Sequence, residues 1–248
     1  MLISVLLSGG VVFLTHALEA VTGFGCAVLA MPFVTYLLGM KQGVIIITIL
    51  AWILALYITV TKWKSIDIKQ FGIICGCMVL GLPLGMIVFR SFEVDILKKI
   101  LAVFIIVVSL WQLCLHLSGK KQTDRGAPKG WKALPYYLCL VCGGVVHGMF
   151  SSGGPLVVLY ASRVFKDKGV FRATLCLLWT VLNTIIIVTY LIEGAITVPV
   201  AKNTAILIPF VIAGIFAGEK IHDKLDERIF SIVVFSMLLV TGFFMLFL

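Results

Sequence analysis

The sequence has few charged residues. Asp, Glu, Lys and Arg together make up 12% of the 248 residues, whereas a soluble domain carries about 25%. Hydrophobic residues make up 61%, and the mean hydropathy is +1.17. A soluble protein of this size would lack the polar surface needed to cover its core. The composition therefore predicts an integral membrane protein whose main partner is the lipid bilayer.

Acidic residues are scarce as well, and the formal net charge is +9. The basic residues lie in short connectors between apolar runs, as is usual beside membrane spans. No basic face with interleaved aromatic residues is present, so no nucleic-acid partner is expected. The N-terminus has no basic stretch before its apolar run, and we interpret that run as the first membrane segment.

Patterns typical of enzymes and of metal sites are missing. The sequence contains no Gly-x-Ser-x-Gly elbow, no HExxH motif and no Walker-type loop. All seven cysteines lie in apolar runs, and no second cysteine pair or nearby histidine completes the Cys139-x-x-Cys142 spacing. We therefore expect no enzyme activity, no metal, no cofactor and no disulfide framework.

The chain divides into eight apolar runs. They are 2–38, 43–61, 68–89, 97–117, 133–162, 169–191, 199–218 and 229–248. A membrane-spanning helix needs about 20 residues, so six runs fit one crossing each. The runs 2–38 and 133–162 are too long, and small residues interrupt them at 22–26 and 150–155. Because Gly and Pro disfavour a helix interior, each long run is predicted to be a broken, re-entrant hairpin.

The polar stretch 118–132 separates two halves, 1–117 and 133–248, whose elements follow the same order. A shift of 128 residues places Gly25 on Gly153 and Glu19 on His147. Shifts of 127 and 133 give the matches Trp52 with Trp179, Gly81 with Gly214 and Gly85 with Gly218. The sequence therefore predicts two repeats, each a hairpin followed by three transmembrane helices, joined by a cytoplasmic linker.

The distribution of Lys and Arg predicts the topology. If each long run crossed the membrane once, the two faces would carry 11 and 9 basic residues. If each is a hairpin, the split becomes 15 to 5. The five are Lys41, Arg90, Lys98, Lys99 and Lys202. The positive-inside rule then favours the hairpins, places the 15 in the cytoplasm and both termini outside, and makes the two repeats inverted.

The two interruptions resemble the signatures of the TauE/SafE sulfite exporter family, also called TSUP. The first, residues 20–32, is a Gly-rich cluster followed by Pro32, although Cys26 replaces a glycine that the family usually has. The second, residues 143–155, ends in Gly-Gly-Pro. The resemblance covers nearly the whole chain. It implies a secondary transporter in the cell (inner) membrane for sulfite, organosulfonates or related small anions.

Backbone N–H groups at a hairpin tip suit an anion, because a helix N-terminus carries partial positive charge. Glycine allows close approach, and hydroxyl groups add donors. The predicted substrate-binding residues are Thr22, Gly23, Gly25, Cys26, Ser151, Ser152, Gly153 and Gly154. The alternative is that these small residues only pack helices closely.

Ionisable residues inside a membrane are costly and therefore candidates for function. Glu19 and His147 are predicted to be a proton-coupling or gating pair, with structural hydrogen bonding as the alternative. His16, Asn183 and Arg172 are further candidates for the pathway. For Arg172 the favoured interpretation is anchoring of a helix end, with capture of anions as the alternative, and for Trp179 packing is the favoured interpretation.

Two other functions stay open at this point. An anion channel would use the same residues without alternating access. A membrane-embedded hydrolase would use Ser151 or Ser152 as its nucleophile, with His147 one helical turn away.

Overall fold

The computed structural model describes residues 2–117, 130–221 and 227–247, so residues 118–129 of the predicted linker lie outside the described part. The described residues form ten α-helices. They are α1 (Leu2–Thr22), α2 (Cys26–Leu38), α3 (Met40–Thr61), α4 (Ile68–Ser91), α5 (Val94–Leu117), α6 (Leu134–Phe150), α7 (Gly154–Val164), α8 (Lys168–Ile192), α9 (Val198–Ile221) and α10 (Glu227–Phe247). Short 3₁₀ turns lie at Trp63–Ser65 and Gly130–Ala133.

Five of the described helices are long and apolar enough to cross a membrane: α1, α3, α4, α8 and α9. The prediction of an all-α polytopic membrane protein is confirmed. α5 and α10 occupy two further apolar runs and pack against each other. The helices that follow the two interruptions, α2 and α7, form the second arms of the hairpins. They have 13 and 11 residues, so they are about 20 and 16 Å long, which is shorter than the roughly 30 Å hydrocarbon core.

The two interruptions have the same local geometry at their start. Gly23 and Ser151 both adopt a left-handed backbone, with φ of +82° and +51°. The Gly23 N–H donates to the Glu19 carbonyl oxygen at 2.7 Å, and the Ser151 N–H donates to the His147 carbonyl oxygen at 2.7 Å. Each bond closes the last turn of a helix in the way that left-handed caps do. The pairs Glu19 with Gly23 and His147 with Ser151 match under the 128-residue shift.

The arms on either side of each interruption run antiparallel. Leu7 and Val11 of α1 line the same crevice as Tyr36 and Leu37 of α2, although the interruption lies between them. In the second hairpin, the rings of Tyr137 and Tyr160 lie 6.2 Å apart, which joins the start of α6 to α7. The chain therefore folds back at each interruption.

Glycines allow each hairpin to pack closely on a helix of the other half. α6 lies against α4, and α1 lies against α9. A Cβ atom on Gly81 or Gly85 of α4 would lie 2.1 or 2.0 Å from a carbonyl oxygen of α6. A Cβ atom on Gly214 or Gly218 of α9 would lie 2.7 or 2.3 Å from a carbonyl oxygen of α1. Small residues at such crossings allow backbones to approach, as is common in membrane helices.

The remaining contacts place α3 and α8 at the centre. α3 packs on α8, α5 packs on α10, α3 reaches α9, and α8 reaches α4. If α1–α5 and α6–α10 exchange places in order, the pairs α3–α8 and α5–α10 are unchanged. The pairs α3–α9 and α8–α4 are converted into each other. The exchange also converts the α4–α6 pairing into the α9–α1 pairing. α3 and α8 are thus the central pair of this arrangement.

Candidate functional site

The two interruptions, 22–26 and 150–155, are the first and second hairpin tips, and they meet beside Trp179 in the middle of α8. The Trp179 Nε1–H donates to the Gly23 carbonyl oxygen at 3.0 Å. The indole also stacks on His147, with ring centroids 5.2 Å apart and planes inclined by 23°. A Cβ atom on Gly154 would lie 3.6 Å from the Phe24 ring. A Cβ atom on Gly154 would also lie 3.9 Å from Trp179 Cζ2, so this one aromatic side chain lies against both tips, and Phe24 of the first tip lies next to Gly154 of the second.

A small cavity lies between the tips. Its walls come from the two tips and from α1, α2, α3, α6 and α8. The lining residues are Glu19, Gly25, Cys26, Ala27, Val28, Ala51, His147, Ser151, Ser152, Gly154, Trp179 and Asn183. Its volume is about 20 Å³, which is room for one or two water molecules. An anion with three oxygens around a sulfur atom would need the walls to move apart.

At the first tip, a carboxylate already occupies the position expected for an anion. Glu19 is 4% exposed, and its Oε2 accepts from the Cys26 N–H at 2.7 Å. Cys26 is the first residue of α2, so the carboxylate lies at the positive end of that helix. The Cys26 N–H, which was predicted to bind the substrate anion, is therefore bonded to the carboxylate of Glu19.

At the second tip, each polar side chain has a different partner. The Ser151 and Thr48 hydroxyl oxygens are 2.6 Å apart, which joins the tip to α3. The Ser152 hydroxyl donates to the Phe150 carbonyl oxygen at 2.8 Å. His147 Nε2 and Asn183 Oδ1 are 3.0 Å apart, which joins α6 to α8. Because His147 Nε2 bonds to Asn183 and Ser151 to Thr48, the arrangement does not pair a serine with a histidine base.

The structure brings most of the predicted site residues together. Glu19 and His147 line the same cavity, along with Asn183 and five of the eight predicted substrate-binding residues. The other three lie at its edge. The Thr22 hydroxyl donates to the carbonyl oxygens of Leu18 and Phe24 within its own segment. Gly23 contributes its carbonyl to Trp179, and a Cβ on Gly153 would lie 2.4 Å from the Gly143 carbonyl oxygen.

Two pathway candidates lie away from the cavity walls. His16 is fully buried, and its Nδ1 lies 2.8 Å from the Val12 carbonyl oxygen of the same helix. It lies beside α9, where a Cβ on Gly214 would approach the His16 Cβ at 3.4 Å. Arg172 lies on the same face of α8 as the cavity residues. Arg172, Cys176, Trp179 and Asn183 are all buried and are spaced by four, three and four residues, which is one side of a helix.

Sequence reasoning missed two contributors. Thr48 is fully buried in α3 and bonds the second tip. A lone threonine in an apolar run is a weak signal, because its hydroxyl can bond its own helix, and Thr48 also does so with the Val44 carbonyl oxygen at 2.7 Å. Trp179 was favoured as a packing residue, yet it lines the cavity and contacts both tips. The 127-residue match between Trp52 and Trp179 was the sequence signal that could have indicated a role for Trp179 at the site.

Comparisons of the sequence with known proteins identify relatives of this chain. The family model of the sulfite exporter TauE/SafE matches residues 8–245. A protein of Methanocaldococcus jannaschii described as a probable membrane transporter protein is 26% identical over 258 residues, covering 94% of this chain and 92% of that protein. No solved structure gives a significant match. The matched region includes both interruptions and every helix that surrounds the cavity, and the chain belongs to the sulfite exporter TauE/SafE family.

Proposed function

We propose that this chain is a secondary transporter of small sulfur-containing anions such as sulfite or an organosulfonate. The substrate binds between the two hairpin tips, and access alternates between the two faces of the membrane. The observation that carries the proposal is the meeting of both tips at one buried cavity beside Trp179. Interrupted helices that meet inside the membrane are a common transporter plan, because their free backbone groups bind the substrate.

The small volume of the cavity favours a transporter over a channel. A channel needs a continuous path wide enough for the anion, whereas a site of about 20 Å³ between the two tips must widen before an anion enters. The inverted arrangement of residues 1–117 and 133–248 and the cytoplasmic linker 118–132 belong to this proposal. We also propose that the protein lies in the inner membrane with both termini on the extracytoplasmic side. The matched caps at Gly23 and Ser151 and the exchange of helix pairings support two related halves.

Flux into liposomes tests the function directly. The purified protein should move sulfite with a rate that saturates as its concentration rises, and unlabelled sulfite inside should accelerate uptake of labelled sulfite. Sulfate, thiosulfate, small sulfonates and carboxylates define the selectivity. A rate that rises linearly without counter-flow would identify a channel, and protein-free liposomes provide the baseline.

Ser151→Ala is expected to reduce anion transport by about tenfold. The substitution removes a hydroxyl donor from the second tip and its bond to Thr48, and a hydrogen bond to a charged group contributes about 1.5–3 kcal/mol. Sulfite flux at equal protein content measures the change.

Thr204→Ala is the matched control. Thr204 is also a buried hydroxyl, but among the described residues it bonds only to the Val200 carbonyl oxygen of its own helix. Transport by Ser151→Ala at the wild-type rate would argue against an anion site at this tip.

The position of Glu19 supports a proton-coupled mechanism. The Cys26 N–H cannot serve a substrate anion while the Glu19 carboxylate occupies it at 2.7 Å. Two anions at one helix end repel, so substrate should enter most readily when Glu19 has taken up a proton or turned away. The groups that face Glu19 are the thiols of Cys26 and Cys176, with His147 in the same cavity. Protonation of Glu19 together with anion binding would move one proton with each anion.

Glu19→Gln is therefore expected to remove the pH dependence of transport. Wild-type flux should rise as the pH falls, because acid neutralises the competing carboxylate. The variant carries no carboxylate at that position, so its flux should be similar at acidic and alkaline pH. Initial rates of uptake of a small sulfonate, which stays fully ionised in this range, measure this between about pH 6 and 8. Glu93→Gln, which alters an exposed carboxylate, should keep the wild-type profile. If the flux of Glu19→Gln changed with pH in the same way as that of the wild type, a group other than Glu19 would carry the proton.

A further inference from the structure

Arg172 is a buried cation with unused donors. The residue is 7% exposed, and within the described part of the chain its Nε and Nη2 have no hydrogen-bond partner. A guanidinium offers five N–H donors, and burying charged donors without acceptors is costly. An arginine that only anchors a helix end keeps its guanidinium in water. The burial of Arg172 therefore indicates a role other than anchoring.

The carboxylate beside Arg172 is held loosely. Glu219 Oε1 lies 3.8 Å from Arg172 Nη2, which is too far for a hydrogen bond. Its other oxygen, Oε2, accepts from the Tyr57 hydroxyl at 3.2 Å. By contrast, Arg90 and Glu193 form an ion pair of 2.5 Å. The Glu219 side chain is 31% exposed, so it can turn towards water without unfolding anything.

Arg172 also lies next to the pathway. A Cβ atom on Gly23 would lie 2.8 Å from the Arg172 Cα, so the backbone of α8 touches the first tip at this point. Cys176 and Trp179 follow on the same buried face of α8. Seven residues of helix correspond to about 10 Å, so Arg172 lies roughly two turns from the residue that contacts both tips.

We propose that Arg172 is a second anion-binding site at the mouth of the pathway, and that Glu219 covers it until a substrate anion takes its place. This inference rests on the proposed function. An oxyanion such as sulfite presents several oxygens and can accept two parallel N–H bonds from a guanidinium. When Glu219 turns to water, one negative charge replaces another beside Arg172. The Tyr57 hydroxyl is then released and becomes a further donor.

Equilibrium binding of sulfite to the purified protein tests the site. Arg172→Gln should weaken the Kd by about tenfold or more, because charge-assisted bonds are lost. Glu219→Gln should strengthen binding several-fold, because the competing carboxylate is gone. The double variant should bind like Arg172→Gln, since removing Glu219 matters only while Arg172 is present. Arg172→Lys keeps the charge without the paired donors and should fall between Arg172→Gln and the wild type.

Lys220→Gln is the matched control, because it removes one exposed positive charge beside Glu219 and should leave the Kd unchanged. The thermal midpoint of each variant verifies that it is folded. If Glu219→Gln binds sulfite no better than the wild type, or if Arg172→Gln binds as well as Lys220→Gln, the second site is overturned while the proposed function stands. If the wild-type protein neither binds nor moves any of the anions, the proposed function fails and this inference fails with it.

Discussion

Gly85→Ala is expected to lower the thermal midpoint of the purified protein by about 10 °C or to prevent folded protein from accumulating. The added methyl group would lie 2.0 Å from the Val145 carbonyl oxygen and 3.0 Å from the Gly148 Cα. Both contacts are with backbone, so no side-chain rotation relieves them and α4 must move away from α6. Overpacking of this kind costs about 1–3 kcal/mol, or more where the structure is stiff. At this chain length, 1 kcal/mol corresponds to roughly 2–4 °C.

The same helix provides the control. Gly76 also belongs to α4, but a Cβ atom there meets nothing within 4 Å. Gly76→Ala should keep or slightly raise the midpoint, because alanine favours a helix by about 1 kcal/mol over glycine. Unfolding followed by intrinsic fluorescence in detergent compares the two variants. Equal midpoints for Gly85→Ala and Gly76→Ala would contradict the close packing of α4 on α6.

Trp179→Phe is expected to lower anion transport by tenfold or more while the protein stays folded. Phenylalanine keeps an aromatic ring against His147 but removes the N–H that bonds the Gly23 carbonyl oxygen at 3.0 Å. A buried carbonyl left without a partner costs about 1–3 kcal/mol. The first tip would therefore shift relative to the second, and small displacements of binding groups have large effects on rate.

Trp52→Phe is the control for this experiment. Trp52 occupies the matching position in α3, and its Nε1–H donates to the Thr184 hydroxyl at 2.8 Å, in a more exposed setting. Both variants lose one indole hydrogen bond, but only Trp179→Phe affects the tips. Sulfite flux at matched protein content should fall for Trp179→Phe and change less than twofold for Trp52→Phe. Equal losses would mean that the indole bond at Gly23 has no special role in transport.

The helices and their interruptions were predictable from the sequence. The thickness of the bilayer sets the length of a membrane-spanning helix, and glycine disfavours the interior of a helix. The runs interrupted at 22–26 and 150–155 contain breaks at Gly23–Gly25 and Ser151–Gly153. The match between Glu19 and His147 was visible as a 128-residue shift, and both residues line one cavity. Their roles in transport stay predictions.

The partners of these residues were not predictable. Gly81 and Gly214 were recognised only as matching positions, because a single sequence does not reveal which helix lies against a glycine. The Glu19 bond to the Cys26 N–H depends on the turn between α1 and α2, whose backbone angles are set by Gly23 and Gly25. The looseness of the Arg172–Glu219 pair depends on a distance across two helices that are 47 residues apart in sequence at these positions. Such details arise from tertiary packing rather than from local pattern.

The crosswise packing of the hairpins has a consequence for biosynthesis. α1 is synthesised before α9, yet its closest glycine contacts are with Gly214 and Gly218 of that helix, made roughly 200 residues later. Until then, the carbonyl-lined surface of α1 has no helix to cover it. The N-terminal half should therefore fail to mature alone, whereas separate halves expressed together should assemble and regain function. Each half supplies the surface on which the hairpin of the other half packs.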